Sequence, residues 1–403
     1  MNAVSPVIIA GMGPSGSILA LALAKQNISV ILLEKESSLP IDLRASTFHP
    51  PSLDLIAGLD TGVIKKMLAK GLKADRYQYR DRVSGDVATF DMKLLEGETK
   101  HPFRLQLEQY ELTHCVLEAL ADYQNVDIRF SHEALSYVEI DGGVQVRVMT
   151  PHGEILINGS FIVGCDGARS NVRKSSGIEY GGFTYKEKFL VVSTDFAFED
   201  VFDDFSYVNY VSDPDDWCVI LRTEKIWRVL FPTTPKNQHD ERVLLSDKFI
   251  QERLQNFCPS QTPYNVPYRT LYSVNQRVAN SYYKGRMVLV GDACHINNPL
   301  GGMGMNGGLH DAFNLAPRLI DIISNGASFE QAFVDYDHQR RLLAMQFVQE
   351  HTINNKKLME STESDVQQKR QKFYMESASD PVMAKKFMME RSMIDSLRDS
   401  LQS

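Results

Sequence analysis

Three short stretches of this chain combine glycine with acidic or small polar residues in a way that suits a phosphate-bearing ligand. The first is GMGPSG, residues 11–16, directly after the apolar run VSPVIIA and leading into SGSILALALAKQ. In that order the residues read as strand, tight turn and helix. Gly11 permits the turn, Gly13 lets backbone approach a pyrophosphate, and Gly16 allows close packing of helix on strand. Pro14 and Ser15 open the helix, whose free N–H groups and dipole attract phosphate. Glu34, followed by Lys35, closes a second strand, ISVILLE, 18 residues past Gly16. A carboxylate there accepts hydrogen bonds from a ribose. GxGxxG alone is weak, and its plain alternative is a glycine turn demanded by packing. The flanking strand, helix and acid favour a bound dinucleotide.

The second stretch, GCDGARSNVR at residues 164–173, follows the strand-like FIVG and places Asp166 and Gly167 at its end. The third, GDACHINNPLGGMGMNGG, begins at Gly291 and Asp292 after RMVLVG. Each sets an aspartate at the carboxyl end of a buried parallel strand, where open α/β sheets bind ligands. Either Asp could be simple turn chemistry; two in this order behind a dinucleotide turn are harder to explain that way. His295 reads as a structural hydrogen-bonding residue.

The elements that must position these motifs are those of a large globular chain. Its 403 residues, 43% hydrophobic and 23% charged, suit two or three domains. A net charge of −8 and the lack of any basic cluster with interleaved aromatics argue against nucleic acid. No apolar run approaches the length of a membrane span, and a strand begins too early to leave room for a signal peptide. Five scattered cysteines without CxxC suggest a reducing cytoplasm, and the histidines show no ligand spacing, so no metal is expected.

A βαβ unit opens the chain, a helix is expected over 103–122, and 126–163 alternates in β fashion. From Phe183 to Pro267 the texture changes to aromatic-rich strands such as FSYVNYV, WCVILRT and IWRVLFPTT. The division expected is a cofactor domain over 1–182 with an excursion near 72–100, a sheet domain over 183–270, a return over 271–345, and a helical tail over 346–403. In the tail, Met383, Phe387, Ile394, Leu397 and Leu401 form a stripe that suits a helix docked on the body, with a membrane- or partner-binding helix as the alternative.

Taken as a set, the three motifs resemble those of the single-component FAD-dependent aromatic hydroxylases, the para-hydroxybenzoate hydroxylase family, over about residues 4–345. The resemblance implies an α/β fold: a Rossmann-like FAD-binding domain of the glutathione-reductase type, an inserted antiparallel β-sheet substrate domain, and a helical C-terminal tail. It implies that Gly11, Gly13 and Gly16 hold the FAD pyrophosphate, that Glu34 binds the adenosine ribose, and that Arg44 lies near the pyrophosphate. Gln109 would approach the ribityl chain, Asp292 would bond to it, and Asp166 belongs to a motif associated with both FAD and the pyridine nucleotide. Pro299 would lie against the flavin edge, and Gly301, Gly302 and Gly304 would pass close to the isoalloxazine. With Met303, they would precede a helix starting near Met305 or Asn306, its positive end toward the flavin. Pro317 departs from the aromatic often seen there and should kink that helix.

The activity implied is hydroxylation of an electron-rich aromatic or N-heteroaromatic ring through a flavin C4a-hydroperoxide. Its reactants would be dioxygen (O2) and NADH or NADPH as transient reductant, in a monomer or homodimer. The alternatives are an FAD oxidoreductase without oxygen insertion and a non-catalytic flavin protein. No second GxGxxG follows directly on a later strand, and no redox CxxC or CxxxxC appears, as a disulfide reductase would usually carry. The substrate would lie against the inserted sheet, with Asn209, Trp217, Val219, Leu221 and Arg222 as candidate lining. Only one face of each strand can point inward, so at most one of Tyr207 and Tyr210 can assist ring deprotonation. His49 and Pro299 flank the expected ring site.

Overall fold

Four consecutive apolar residues, Val7–Ala10, are buried on both faces, as the central strand of a parallel sheet must be. In this computed structural model, which describes all residues but 1–4, 42–44, 83, 214–215, 234–240, 361–363 and 403, that strand pairs in parallel with Val30–Leu33 on one side and Phe161–Gly164 on the other. Val126–Arg129 and Met287–Leu289 extend the sheet outward, and the short Tyr283–Lys284 closes it as an antiparallel edge. Because Ala10, Gly164 and Leu289 lie in register, the three glycine motifs leave the sheet side by side at one edge. This alignment turns segments nearly 300 residues apart into one site.

The helix Pro14–Ala24 is buried from Gly16 onward and packs against the long helix Met303–Asn325. That second helix starts at Met303, two residues before the expected start, with Gly302 as its N-cap at φ +68°. Pro317 lies inside this helix, which continues to Asn325.

A second sheet of eight strands stands beside the first. Its order is His295–Ile296, Tyr268–Ala279, Tyr180–Thr194, Trp227–Pro232, Cys218–Arg222, Val208–Ser212, Arg76–Asp81 and Gly85–Asp91. The 72–100 segment thus contributes the last two strands, and Arg76–Asp81 runs parallel to Val208–Ser212. One face carries an aromatic cluster of Phe198, Phe205, Trp227, Phe231, Phe257 and Tyr264. The other faces the tail: Tyr374, Phe387, Met388 and Ile394 are buried with Tyr77, Tyr79 and Phe90. The tail is therefore docked, and no described helix is long and apolar enough to cross a membrane.

The expected 103–122 helix is shorter than its pattern suggested. Arg104–Gln106 is a strand paired with Thr47–Phe48 and Leu72–Ala74, and the helix occupies only Gln109–Leu120. This small three-stranded sheet joins the two large ones and carries Arg104 between them.

Candidate active site

At the strand-edge turn, Gly11 has φ +101°, and a Cβ there would lie 2.4 Å from the Cys165 carbonyl oxygen. A Cβ on Gly16 would meet the Gly11 oxygen at 2.1 Å. Backbone geometry and packing therefore account for these two glycines. Gly13 is different, because nothing lies within 4 Å of its Cβ position, and that side of the turn is open. Pro14 takes the first helical position, where its missing N–H costs nothing. Ser15 Oγ lies 2.9 Å from a Cβ position on Gly291 and 2.7 Å from one on Gly308, so these glycines let the third motif press against the first.

Glu34 is 8% exposed. Its carboxylate accepts from Met12 N and Glu36 N, both at 3.0 Å, and so fastens the second strand to the glycine turn. Lys35 is exposed and pairs with Glu36 at 3.6 Å. Asp166 Oδ2 accepts from Asn171 N and Val172 N at 2.7 and 3.1 Å, holding the start of the helix Asn171–Ser176. Its Oδ1 is buried without a partner, and burial pushes the carboxyl pKa up. Gly167 turns the chain beyond it at φ +78°. Asp292 is exposed at the same edge, where Tyr180 Oη donates to its carbonyl at 2.8 Å. Gln109 begins its helix, its N–H on the Ala45 carbonyl at 3.0 Å. Arg44 lies outside the described residues.

The ring-side loop is clamped from below. Asn306, fully buried, accepts from His49 N at 2.9 Å and donates to the carbonyls of Thr47 and Gly302 at 2.9 and 2.7 Å. Gly302 is required by its left-handed φ and by Thr47, whose Cβ would lie 3.2 Å from an added Cβ. At Gly304 the crowding comes from Asn297 Oδ1 at 3.1 Å. Contacts within the protein thus already account for these two glycines, without appeal to a ligand. Met303 is buried against Met393 of the tail, and Met305 packs on the main core.

Between this loop and the eight-stranded sheet lies a small cavity. Its walls are Thr47, Arg104, Val208, Tyr210, Val219, Leu221, Leu230 and the loop Pro299–Gly302. Strand alternation decides which candidates reach it. Val208 and Tyr210 face inward, while Asn209 is buried on the opposite face, its amide donating to the Ser206 carbonyl. Tyr207 is 36% exposed, with its ring 6.5 Å from Trp227 on the outer face. Arg222 also lies there, over the Trp227 ring at 5.6 Å. Trp217 shares the inner face with Val219 and Leu221 but is packed against Phe189, 5.8 Å away. The structure therefore gathers Pro299, Tyr210, Val219 and Leu221, with His49 adjacent, and leaves out Tyr207, Asn209, Trp217 and Arg222.

Sequence reasoning missed Thr47, Arg104, Val208, Leu230 and Leu300. The first two sit on the small sheet, whose register no local pattern reveals. Arg104 is 2% exposed, donates to Tyr210 Oη at 3.3 Å and lies 4.2 Å from the Tyr77 ring centre. Among the described residues no carboxylate pairs with it, and its Nε has no hydrogen-bond partner. Ser46 Oγ, His49 Nδ1 and Gln106 Nε2 are likewise buried without partners beside the same loop. Native interiors rarely tolerate such a concentration of orphaned polar atoms, so the arrangement fits a bound group that carries both donors and acceptors.

His49 Nε2 donates to the Gly301 carbonyl at 2.8 Å, leaving Nδ1 as an acceptor. Burial, reinforced by the positive charge of Arg104, lowers its pKa to about 3. Burial likewise lowers His310, bonded to Ser52 Oγ at 3.0 Å, to about 3. Both stay neutral in the folded chain, while the unfolded chain protonates them below about 6.5. The stability they contribute is fully present above that pH and drains away as the pH falls toward 3, by about 2 kcal/mol each at pH 5. Thermal melts between pH 7.5 and 5 should therefore show a shallower loss in His310→Gln than in the native protein. Parallel slopes would contradict the assignment.

A buried parallel sheet, a dinucleotide turn and a bare loop facing a largely aliphatic cavity that holds Arg104 and Tyr210 fit a flavin-dependent enzyme. The chain belongs to the FAD binding domain family, whose model matches residues 4–351. It is 29% identical over 402 residues to the para-nitrophenol 4-monooxygenase of Pseudomonas sp. (strain WBC-3), covering 99% of this chain and 98% of that protein. It is 31% identical over 346 residues to the 6-hydroxy-3-succinoylpyridine 3-monooxygenase of Pseudomonas putida (strain DSM 28022 / S16), covering 84% and 85%. The crystal structure of p-nitrophenol 4-monooxygenase from Pseudomonas putida DLL-E4 superposes with a TM-score of 0.91 at 27% identity, covering 98% of both chains. This protein is an FAD-dependent monooxygenase of the aromatic hydroxylase type.

Proposed function

We propose that the protein hydroxylates a phenol-type ring, consuming NADH or NADPH and dioxygen. The observation that carries this reading is Arg104, a buried guanidinium on the cavity wall with no carboxylate among the described residues to balance it. A phenolate supplies that charge, and ionising the hydroxyl also enriches the ring for attack by an electrophilic oxygen. The chemistry named for the two relatives, on a nitrophenol and a hydroxypyridine, agrees with such a ring.

The residues divide the work. Gly13 and the start of the helix at Pro14 receive the pyrophosphate, with Glu34 toward the ribose and Asp292 toward the ribityl chain. Pro299–Gly302 and His49 face the ring system. FAD, when bound, supplies the redox and oxygen-transfer chemistry. Arg104 holds the substrate oxygen and lowers the cost of its ionisation, and Tyr210 Oη, bonded to Arg104, is placed to relay the proton. Val208, Val219, Leu221, Leu230 and Leu300 exclude water from the slot. Five unpaired cysteines agree with a cytoplasmic setting.

The test is consumption of NADH or NADPH by the yellow purified protein against a panel of phenols, anilines and unsubstituted rings. Stimulation by phenols above all is the expected result. Nucleotide oxidation indifferent to every ring would shift the reading to an oxidoreductase without oxygen insertion.

A further inference from the structure

The C-terminal tail enters the body of the protein at one buried turn. Only Ser392 and Met393 separate the helices Pro381–Arg391 and Ile394–Gln402. Chain reversals normally run over the surface, yet Ser392, Met393 and Ile394 are all buried. Ser392 N donates to the Met388 carbonyl at 2.8 Å, and Met393 N to the Glu390 carbonyl at 3.2 Å. Met393 holds φ +63°. The other described non-glycine residues at positive φ are Asn27, Ser131 and Asp204, whose short polar side chains suit that region. A long apolar side chain has no such compensation, so the backbone at Met393 is strained. Strain of this kind persists only where the surrounding contacts over-determine it.

Those contacts lead to the ring-side loop. Met393 and Met303, each 1% exposed, form a buried cluster of their own. Met303 opens the long helix, directly after its N-cap Gly302. On the other side of the two glycines, Leu300 shares a buried cluster with Met388 and Ile394 of the tail. Gly301 and Gly302 have φ +96° and +68° and no side chains, so their place depends on the residues around them. Thr47, His49 and Asn306 hold them from within the cofactor-binding part of the chain. The tail adds a second hold, on Met303 directly and on Leu300 through their shared cluster.

We propose that Met393 is a positioning residue for the cofactor: the tail's buried turn fixes the loop Pro299–Met303, and with it the start of the long helix, where the flavin ring is received. It rests on the reading of Pro299–Gly302 as the segment that faces the ring system. The tail would then be part of the cofactor site although it touches no cofactor. The test compares three full-length variants. Met393→Gly removes the side chain and suits the positive φ, so backbone strain does not confuse the result. Met393→Leu keeps the apolar bulk. Tyr374→Leu loosens the tail elsewhere, where Tyr374 stacks on Tyr79 of the sheet at 3.8 Å. Dissociation constants are measured for FAD and for ADP, which carries the phosphates without the ring, beside melting temperatures and the visible spectrum of bound FAD. In Met393→Gly the FAD constant should rise by about tenfold, since a loop no longer held in place must be ordered on binding, and ADP should change less than about threefold. The flavin absorption bands should shift in the same variant. Met393→Leu should restore most of the FAD affinity, and Tyr374→Leu should lower the melting temperature with both constants near native. Equal weakening of FAD and ADP in Met393→Gly, native FAD affinity in that variant, or the same loss in Tyr374→Leu would overturn the positioning role alone. A native protein that bound FAD with the spectrum of free FAD would overturn the placement of the ring, and the positioning role with it.

Discussion

Arg104→Met is expected to lower kcat/KM for a phenol by about a hundredfold to a thousandfold while leaving the ligand-free protein as stable as before or more so. The first half follows from the cost of removing a buried charged partner from a charged ligand, about 2–5 kcal/mol. The second follows from burial. A guanidinium that is 2% exposed, set against Tyr210, Tyr77 and a cavity, pays desolvation with no ion pair among the described residues to offset it. Replacing such a charge by an apolar side chain of similar length is commonly neutral or stabilising, by up to about 4 kcal/mol. A residue that stabilises the fold would move both quantities together. Opposite signs in turnover and melting temperature mark one kept for its ligand. Thermal melts of ligand-free protein beside steady-state kinetics settle it, and a variant that unfolds several degrees early would contradict the account.

The second large effect belongs to Asp311, which touches no substrate. Its carboxylate, fully buried, accepts from His295 Nε2 at 2.7 Å, Arg340 Nε at 2.7 Å and Gly291 N at 3.1 Å. Burial alone would raise its pKa, but His295 and Arg340 hold it below the usual carboxylate range. Its contribution is therefore present above the ordinary carboxylate pKa and is lost as the pH falls through that range and below it. Asp311→Ala leaves two buried donors and the turn carrying Asp292 without their acceptor, and should cost about 3–5 kcal/mol. Asp311→Asn keeps the shape and should cost less. Because Gly291 opens the ring-side motif, FAD affinity should fall along with stability in the alanine variant. Chemical denaturation of both variants with FAD titration checks this, and an alanine variant within 1 kcal/mol of the native protein would sink it.

Several parts of this architecture were legible in the residues and others were not, for physical reasons. The strand VIIA, the glycine turn and the helix after it are local: four buried apolar residues, a backbone needing positive φ at Gly11, and a small side chain at Gly16. Each shows in a few adjacent positions. The start of the long helix was placed late because Met303 and Gly304 look like loop, whereas the N-cap is fixed by Gly302 packing on Thr47 from far away in the chain. The residues around Arg104 fit helical spacing, and only pairing with Thr47–Phe48 and Leu72–Ala74 makes that segment a strand.

The sheet residues illustrate a different limit. Alternation tells that Tyr207 and Tyr210 cannot both face inward, but the choice depends on which side the tail and the ring-side loop cover. That is a tertiary fact with no local signature. Orphaned buried atoms such as Arg104 Nε and Arg228 Nη1 are likewise visible only once the chain is folded.

The most direct measurement is transfer of oxygen from heavy-isotope dioxygen to a phenol by the FAD-loaded protein with NADH or NADPH. One labelled oxygen atom in the hydroxylated ring per nucleotide consumed is the predicted result. Nucleotide consumption that sends all of the label to hydrogen peroxide and water across the phenol panel, with no labelled ring product, would contradict it.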